Sequence, residues 1–279
     1  MTGRTDERRL IVRLISLVLI LAVGSLCFAE ILMPETGKTT KKNGKMTMDC
    51  SHMNQGYVMI KAAKSKKKIK VLVKHNKDQE LNYDINSRGN YETFPLQMGN
   101  GKYTFTMIEQ ISGQKYSQAG KVSVTPKMPD ETTCFLYPNQ YVNYTVESPA
   151  VLKAVELCKD LTSPLDKAKT ICRYVTDHFS YDNMKAAKVK GGQVTSLLPD
   201  VDGCWASGTG VCQDLSAITC AMLRSQGVPA KLVIGFLKKR TYHAWVSIII
   251  DGKEQRFDPT ASLEGQKYSK SDYTIERFY

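Results

Sequence analysis

The chain has 279 residues, with 39 Lys and Arg against 27 Asp and Glu, for a formal net charge of +12. This length allows one targeting segment and about two domains. The basic excess does not indicate nucleic-acid binding, because no recognition helix or aromatic-basic platform accompanies it.

Residues 1–29 hold four basic and two acidic residues, and Leu14 to Ala29 is an almost unbroken apolar run. An Arg-rich start followed by a run too short for a comfortable membrane span predicts a secretory signal cleaved after Ala29. An uncleaved membrane anchor is the alternative. The expected destination is the exterior or the cell surface.

Residues 30–130 carry seventeen basic and nine acidic residues, so most of the positive excess lies here, including Lys64-Ser65-Lys66-Lys67-Lys68. Such a run is ordinarily a solvated loop or a protected sheet edge; contact with an anionic cell envelope is the functional alternative. Strand-like segments at 56–60, 69–73, 92–96, 103–107 and 121–124 are separated by turn signals such as Asn100-Gly101 and Ser112-Gly113. Short strands at this spacing predict an all-β, immunoglobulin-like sandwich over 30–128. His52 and His75 have no spaced partner set and are expected at the surface rather than on a metal.

Thr125-Pro126-Lys127-Met128-Pro129-Asp130 is the expected linker to a second domain over 129–279. Ser148-Pro149 and Ser163-Pro164 each open a helix with an apolar stripe. A third helix spans Val211 to Gln226, with Leu215, Ile218, Met222 and Leu223 at helical spacing and Gly227 and Pro229 beyond its end. Cys158, Cys172 and Cys220 fall on these apolar faces as small hydrophobes. Cys204, near the nucleophile candidate, either packs or resolves an oxidised Cys212, and no spacing identifies disulfide partners. Strands follow at 231–236 and 242–250, and Asp251-Gly252 predicts a tight hairpin into a strand over 253–257.

Cys212 thus falls in the first turn of a helix, where unpaired amides and the helix dipole favour a thiolate. If Ile250 pairs with Lys253, the register places His243 and Asp258 as diagonal neighbours on one sheet face, about 7–8 Å apart at Cα. A thiol, an imidazole and a carboxylate in this order are the parts of a nucleophilic triad. Each alone has an ordinary reading: a buried thiol, a satisfied sheet histidine, a turn former before Pro259. Asp214 reads as a favourable first-turn charge and Asp251 as a turn residue. The two tryptophans, Trp205 and Trp245, are candidates for substrate contact and water exclusion, with a core role the alternative.

Gly210-Val211-Cys212-Gln213-Asp214, Tyr242-His243-Ala244-Trp245 and Asp258-Pro259-Thr260 resemble the core of the transglutaminase-like superfamily, and Phe179-Ser180-Tyr181-Asp182 resembles its upstream aromatic segment. The resemblance spans roughly residues 137–260. It implies an α+β, papain-like transglutaminase core with a Cys212-His243-Asp258 triad, preceded here by the β-sandwich. The implied activity is acyl transfer through a Cys thioester from a glutamine carboxamide or a peptide. The alternatives are a cysteine peptidase or amidase acting on cell-envelope peptides, or a non-catalytic envelope-binding protein. Arylamine acetyltransferases use the same residue order, but this chain has a leading β-domain and no evident coenzyme A site. Neither a cofactor nor a metal is expected, and the expected partner is a protein or peptide substrate.

Overall fold

The computed structural model describes residues 30–76, 80–193 and 198–279; the apolar N-terminal run and the expected cleavage site after Ala29 lie outside the described residues. Residues 31–279 group as one contact unit. Its first half consists of strands β1 (Thr40–Asn43), β2 (Met46–Asp49), β3 (Tyr57–Ala62), β4 (Ile69–His75), β5 (Leu81–Ile85), β6 (Glu92–Pro95), β7 (Tyr103–Ser112) and β8 (Lys115–Val124).

These strands form two antiparallel sheets, ordered β1-β2-β3-β6 and β5-β4-β7-β8. The runs β2-β3-β6 and β4-β7-β8 follow the A-B-E and C-F-G order of an immunoglobulin-like sandwich, with β5 as an added C′ strand. Alternation directs Ile69, Val71 and Val73 of β4 and Tyr103, Phe105 and Met107 of β7 inward. Phe94 of β6 bridges the sheets, with its ring 5.2 Å from Tyr83 and 6.3 Å from Phe105. The sequence reading missed β1, β2 and β5. β1 is exposed along its whole length, β2 is only four residues long, and β5 (Leu-Asn-Tyr-Asp-Ile) interleaves polar residues with its apolar ones.

His75 is not at the surface as expected. It continues the inward alternation of β4, is buried against Tyr103 at 4.6 Å and reaches the Asn100 carbonyl at 3.1 Å. His52 is half-buried and stacks on Tyr57.

The second half contains α1 (Pro149–Cys158), α2 (Pro164–His178), β9 (Ser180–Tyr181), α3 (Asn183–Lys190), α4 (Val201–Ser207), β10 (Thr209–Gly210), α5 (Cys212–Ser225), β11 (Ala230–Leu237), β12 (Thr241–Ile250), β13 (Lys253–Phe257), α6 (Pro259–Leu263) and β14 (Tyr273–Phe278). Helices and antiparallel sheets thus combine in an α+β fold. Ser163 caps α2 as expected, accepting from the Asp166 N–H, whereas the Ser148 hydroxyl turns to Asp202 instead of capping α1.

Strands β13-β12-β11-β14 form one antiparallel sheet. Asp251 and Gly252 both have positive φ, 50° and 70°, as a type I′ hairpin turn requires. Ile250 pairs with Lys253 and Val246 with Phe257, which is the register anticipated from the turn. β14 returns to pair with β11, and a bulge lies at Ile234/Gly235. A Cβ on Gly235 would lie 2.0 Å from the Thr274 carbonyl oxygen, so this crossing needs glycine.

Helix α5 departs from the expected amphipathic pattern, since every residue from Asp214 to Ser225 is buried. It is enclosed by α1, α2 and α4 and by strands β11 and β12. Two of its hydroxyls are satisfied locally, Thr219 donating to the Leu215 carbonyl and Ser225 to that of Met222, while the buried Ser216 hydroxyl has no partner. Arg224 is 1% exposed. Its guanidinium donates to the carbonyls of Ala230 at 2.9 Å, Tyr137 at 2.8 Å and Tyr279 at 2.8 Å. One side chain thereby ties the helix to the start of β11, to the segment entering the helical half, and to the residue after β14.

The sandwich meets this half along an aromatic seam. Tyr141 stacks on Tyr279 with centroids 3.5 Å apart, and Tyr83 meets Tyr279 edge-on at 5.9 Å. Gln97 donates to the Phe278 carbonyl, and Gln140 donates to the Asp84 carbonyl and the Glu92 carboxylate.

Arg224→Ala would strand three buried carbonyls and open a cavity, and is expected to destabilise the protein by about 3 kcal/mol or more. Arg224→Lys should recover less than half of that loss, because a single ammonium cannot reproduce the planar fork. Urea unfolding midpoints of the three proteins measure both effects.

Candidate active site

Cys212 begins α5, and its placement is set by the turn before it. β10 pairs in parallel with β9, matching Gly210 with Tyr181. A Cβ on Gly210 would meet Asp214 at 2.8 Å and the Cys204 sulfur at 2.9 Å, so close packing requires glycine immediately before this helix start. Val211 at the N-cap has no side-chain acceptor to offer, which leaves the first-turn amides uncapped on the side of the Cys212 thiol. The buried Asp214 carboxylate reaches back to the Val211 N–H at 3.0 Å and forms an ion pair of 2.7 Å with the half-buried Lys185 of α3. That carboxylate thus braces the helix entrance.

His243 lies on β12 and Asp258 directly after β13, at the N-cap of α6. His243 Nε2 is 2.8 Å from Asp258 Oδ2, and both residues are buried. The register counted from the Asp251-Gly252 turn therefore does bring these two residues together. The other carboxylate oxygen accepts the Ala261 N–H at 3.0 Å. The ring's remaining nitrogen, Nδ1, is left for the thiol, and Cys212 interacts with this same imidazole.

The electrostatics follow from these contacts. Burial works against a charged His243, but hydrogen bonds to Asp258 and Cys212, together with their charges, outweigh it and raise the imidazole pKa to about 9. Burial likewise opposes ionisation of Asp258, yet its hydrogen bond to His243, the imidazolium charge, and the Ala261 and Tyr273 donors hold it below the ordinary carboxylate value. At neutral pH the pair is therefore an imidazolium donating through Nε2 to a carboxylate.

Tyr273 was not visible from sequence. Its hydroxyl donates to Asp258 Oδ2 at 2.8 Å, and its ring lies under the Arg256 guanidinium at 3.9 Å. No local signal could have identified it, because the pairing of β14 on β11, including Tyr273 opposite Leu237, is what delivers it to the site.

The two tryptophans were expected at the substrate, and the structure puts them elsewhere. Trp245 is buried, its ring 6.3 Å from that of His243 and 4.9 Å from Tyr273, so it packs beside the imidazole on the same strand face. Trp205 packs against Tyr174 and Phe179. The cleft itself, about 800 Å³, is lined by other residues, with Cys212 and His243 on its floor and Tyr141, Tyr181 and Tyr242 among its walls.

Cys204 is buried, and desolvation raises its thiol pKa to about 12, as it does for Cys172 and Cys220. These thiols are inert by environment. The seven cysteines among the described residues are all free.

Residues 153–259 match the family model of the transglutaminase-like superfamily. The chain is also similar to several solved structures. One from Cytophaga hutchinsonii, described as a candidate cysteine protease, is 11% identical over 86% of this chain and 83% of its own, with a TM-score of 0.44. A TGase is 23% identical over 46% of this chain and 36% of its own, with a TM-score of 0.38. Red sea bream transglutaminase is 15% identical over 73% of this chain and 47% of its own, with a TM-score of 0.26. No curated protein matches the sequence.

Two measurements check this electrostatic arrangement. The His243 imidazole, followed by NMR, should titrate near pH 9, and Asp258→Asn should return its midpoint toward the ordinary 6.5. Because the folded pKa is raised, the stability it contributes is complete below about pH 6.5 and is lost as the pH rises towards 9. Asp258 behaves in the opposite sense, its contribution being lost as the pH falls through its depressed pKa. Tyr273→Phe removes one donor and raises that pKa, so acid unfolding of this variant should begin at a higher pH than in the wild type.

Proposed function

We propose that the chain is a thiol acyltransferase in which Cys212, His243 and Asp258 act as a triad. The observation that carries this reading is the buried 2.8 Å pair of His243 and Asp258 beside a thiol at an uncapped helix start. An imidazolium that keeps its proton to about pH 9 is the partner a thiolate nucleophile requires at neutral pH.

In this reading the Cys212 sulfur attacks a carboxamide or peptide carbonyl. The C–N bond breaks, His243 gives its proton to the departing amine, and a thioester remains. The Cys212 backbone N–H, in the first turn of α5, faces the developing oxyanion with the helix dipole behind it. An incoming amine then releases the acyl group as a new amide, with His243 taking the amine's proton. Asp258 keeps the ring oriented throughout, and Tyr273 holds Asp258.

Transfer to an amine is preferred over hydrolysis because the reacting groups are buried or half-buried and the cleft walls include Tyr141, Tyr181 and Tyr242, which limit water at the thioester. We further propose export through the N-terminal apolar segment, a domain division within residues 125–130, and contact of the lysine-rich sandwich with an anionic envelope. The last two rest on composition and on the charge distribution.

The test supplies a glutamine-containing peptide and a dansylated amine to the whole protein, and follows both amine incorporation and free-acid formation. Incorporation should dominate, vanish in Cys212→Ser, and fall by about three to four powers of ten in Asp258→Asn. Free acid alone at saturating amine, or cleavage of the peptide bond, would make the protein a hydrolase.

A further inference from the structure

The cleft above Cys212 carries more positive charge than its surroundings balance. Lys190 closes one wall at the end of α3, Arg240 stands on the turn between β11 and β12, and Arg277 projects from β14. The acidic residue on this lining is Asp84, and it is already paired with Lys70 at 3.8 Å. Lys190 and Arg240 have no ion-pair partner among the described residues.

Arg277 is held but not satisfied. Its Nη1 pairs with Glu276 at 2.7 Å and its Nη2 donates to the Tyr242 hydroxyl, while its Nε is buried without a hydrogen-bond partner. The side chain is one-third exposed, and each Nη keeps one N–H beyond these two bonds, so a guanidinium already held in place on the cleft wall can still donate to an incoming acceptor. The amino-acid totals conceal this positive charge, since residues 131–279 have eighteen basic against sixteen acidic residues.

We propose that the cleft takes a peptide acyl donor bearing a carboxylate beside the reacting amide, and that Arg277 and Arg240 bind that carboxylate. Arg277 supplies a fixed guanidinium on the wall and Arg240 a second charge on the hairpin turn. A neutral or basic donor offers these cations no charged acceptor. The proposal rests on Cys212 being the nucleophile, and the experiment is chosen to separate the two.

The probes are iodoacetate and iodoacetamide, which alkylate the same sulfur with loss of iodide and differ in charge. Alkylation of Cys212 in the full-length protein is followed by mass spectrometry for the wild type, Arg240→Gln, Arg277→Gln and the double variant. The His243 imidazolium favours iodoacetate in every variant, so the informative quantity is the change in the iodoacetate-to-iodoacetamide rate ratio. It should fall about threefold in each single variant and about tenfold in the double, and 1 M salt should shrink the difference.

Because Arg277 also touches Tyr242, the exposed-turn variant Arg240→Glu provides a separate arm, and its ratio should fall further than that of Arg240→Gln. Donor peptides with Glu rather than Gln beside the reacting glutamine should show kcat/KM about tenfold higher in the wild type, a preference lost in Arg240→Gln. Alkylation by both reagents with an unchanged ratio, or equal kcat/KM for the two donors, would overturn the carboxylate site and leave the nucleophile standing. Failure of both reagents to label Cys212 would overturn the thiol assignment and this proposal with it.

Discussion

A single guanidinium, buried and surrounded by carbonyl oxygens, sets the spacing on which the site depends. Arg224 sits in the last turn of α5, and its three acceptors come from the chain before α1, from the first residue of β11 and from the residue after β14. The helix carries Cys212 at its other end, and the sheet built on β11 carries His243. Fixing one end of a rigid helix against the sheet fixes where the other end points. A buried Arg held by three backbone oxygens trades favourable solvation for this geometry, which is tolerable because the planar fork satisfies three acceptors at once.

Asp258 plays the corresponding part at the reacting end. It closes β13, caps α6 through the Ala261 N–H, receives the Tyr273 hydroxyl and faces His243. A carboxylate with this many donors is held ionised and immobile, and both properties are what an imidazolium partner needs. The same bonds anchor α6 and β14, so local folding and site electrostatics are coupled through one side chain. Trp245 and Arg256 support the arrangement from behind, by packing on the rings of His243 and Tyr273.

The cleft is a shared product of both halves of the chain. Asn82 and Asp84 of β5 line it together with α3, β12 and β14, and the Tyr83-Tyr141-Tyr279 seam lies beneath. The sandwich therefore shapes the approach to the site as well as preceding it in sequence. Its lysine excess and the cationic cleft are distinct features, since the first is spread over residues 30–130 and the second is gathered by folding from α3, a hairpin turn and the last strand.

Much of this was determined locally and could be read from the chain. Gly227 and Pro229 mark where α5 stops, and Asp251-Gly252 specifies a type I′ turn whose fixed register carries His243 toward Asp258 within fifteen residues. Short-range backbone preference is enough for such features, because the residues that interact are separated by one turn. The inward alternation of β4 and β7 was legible for the same reason. Tyr273, the three-carbonyl embrace of Arg224, the burial of His75, the removal of both tryptophans from the cleft wall and the convergence of Arg240 with Arg277 were not. Each depends on which distant segments come to lie side by side, such as β14 on β11 or α5 enclosed on all sides. That choice is made by the collective burial of apolar surface, which no single stretch of sequence records.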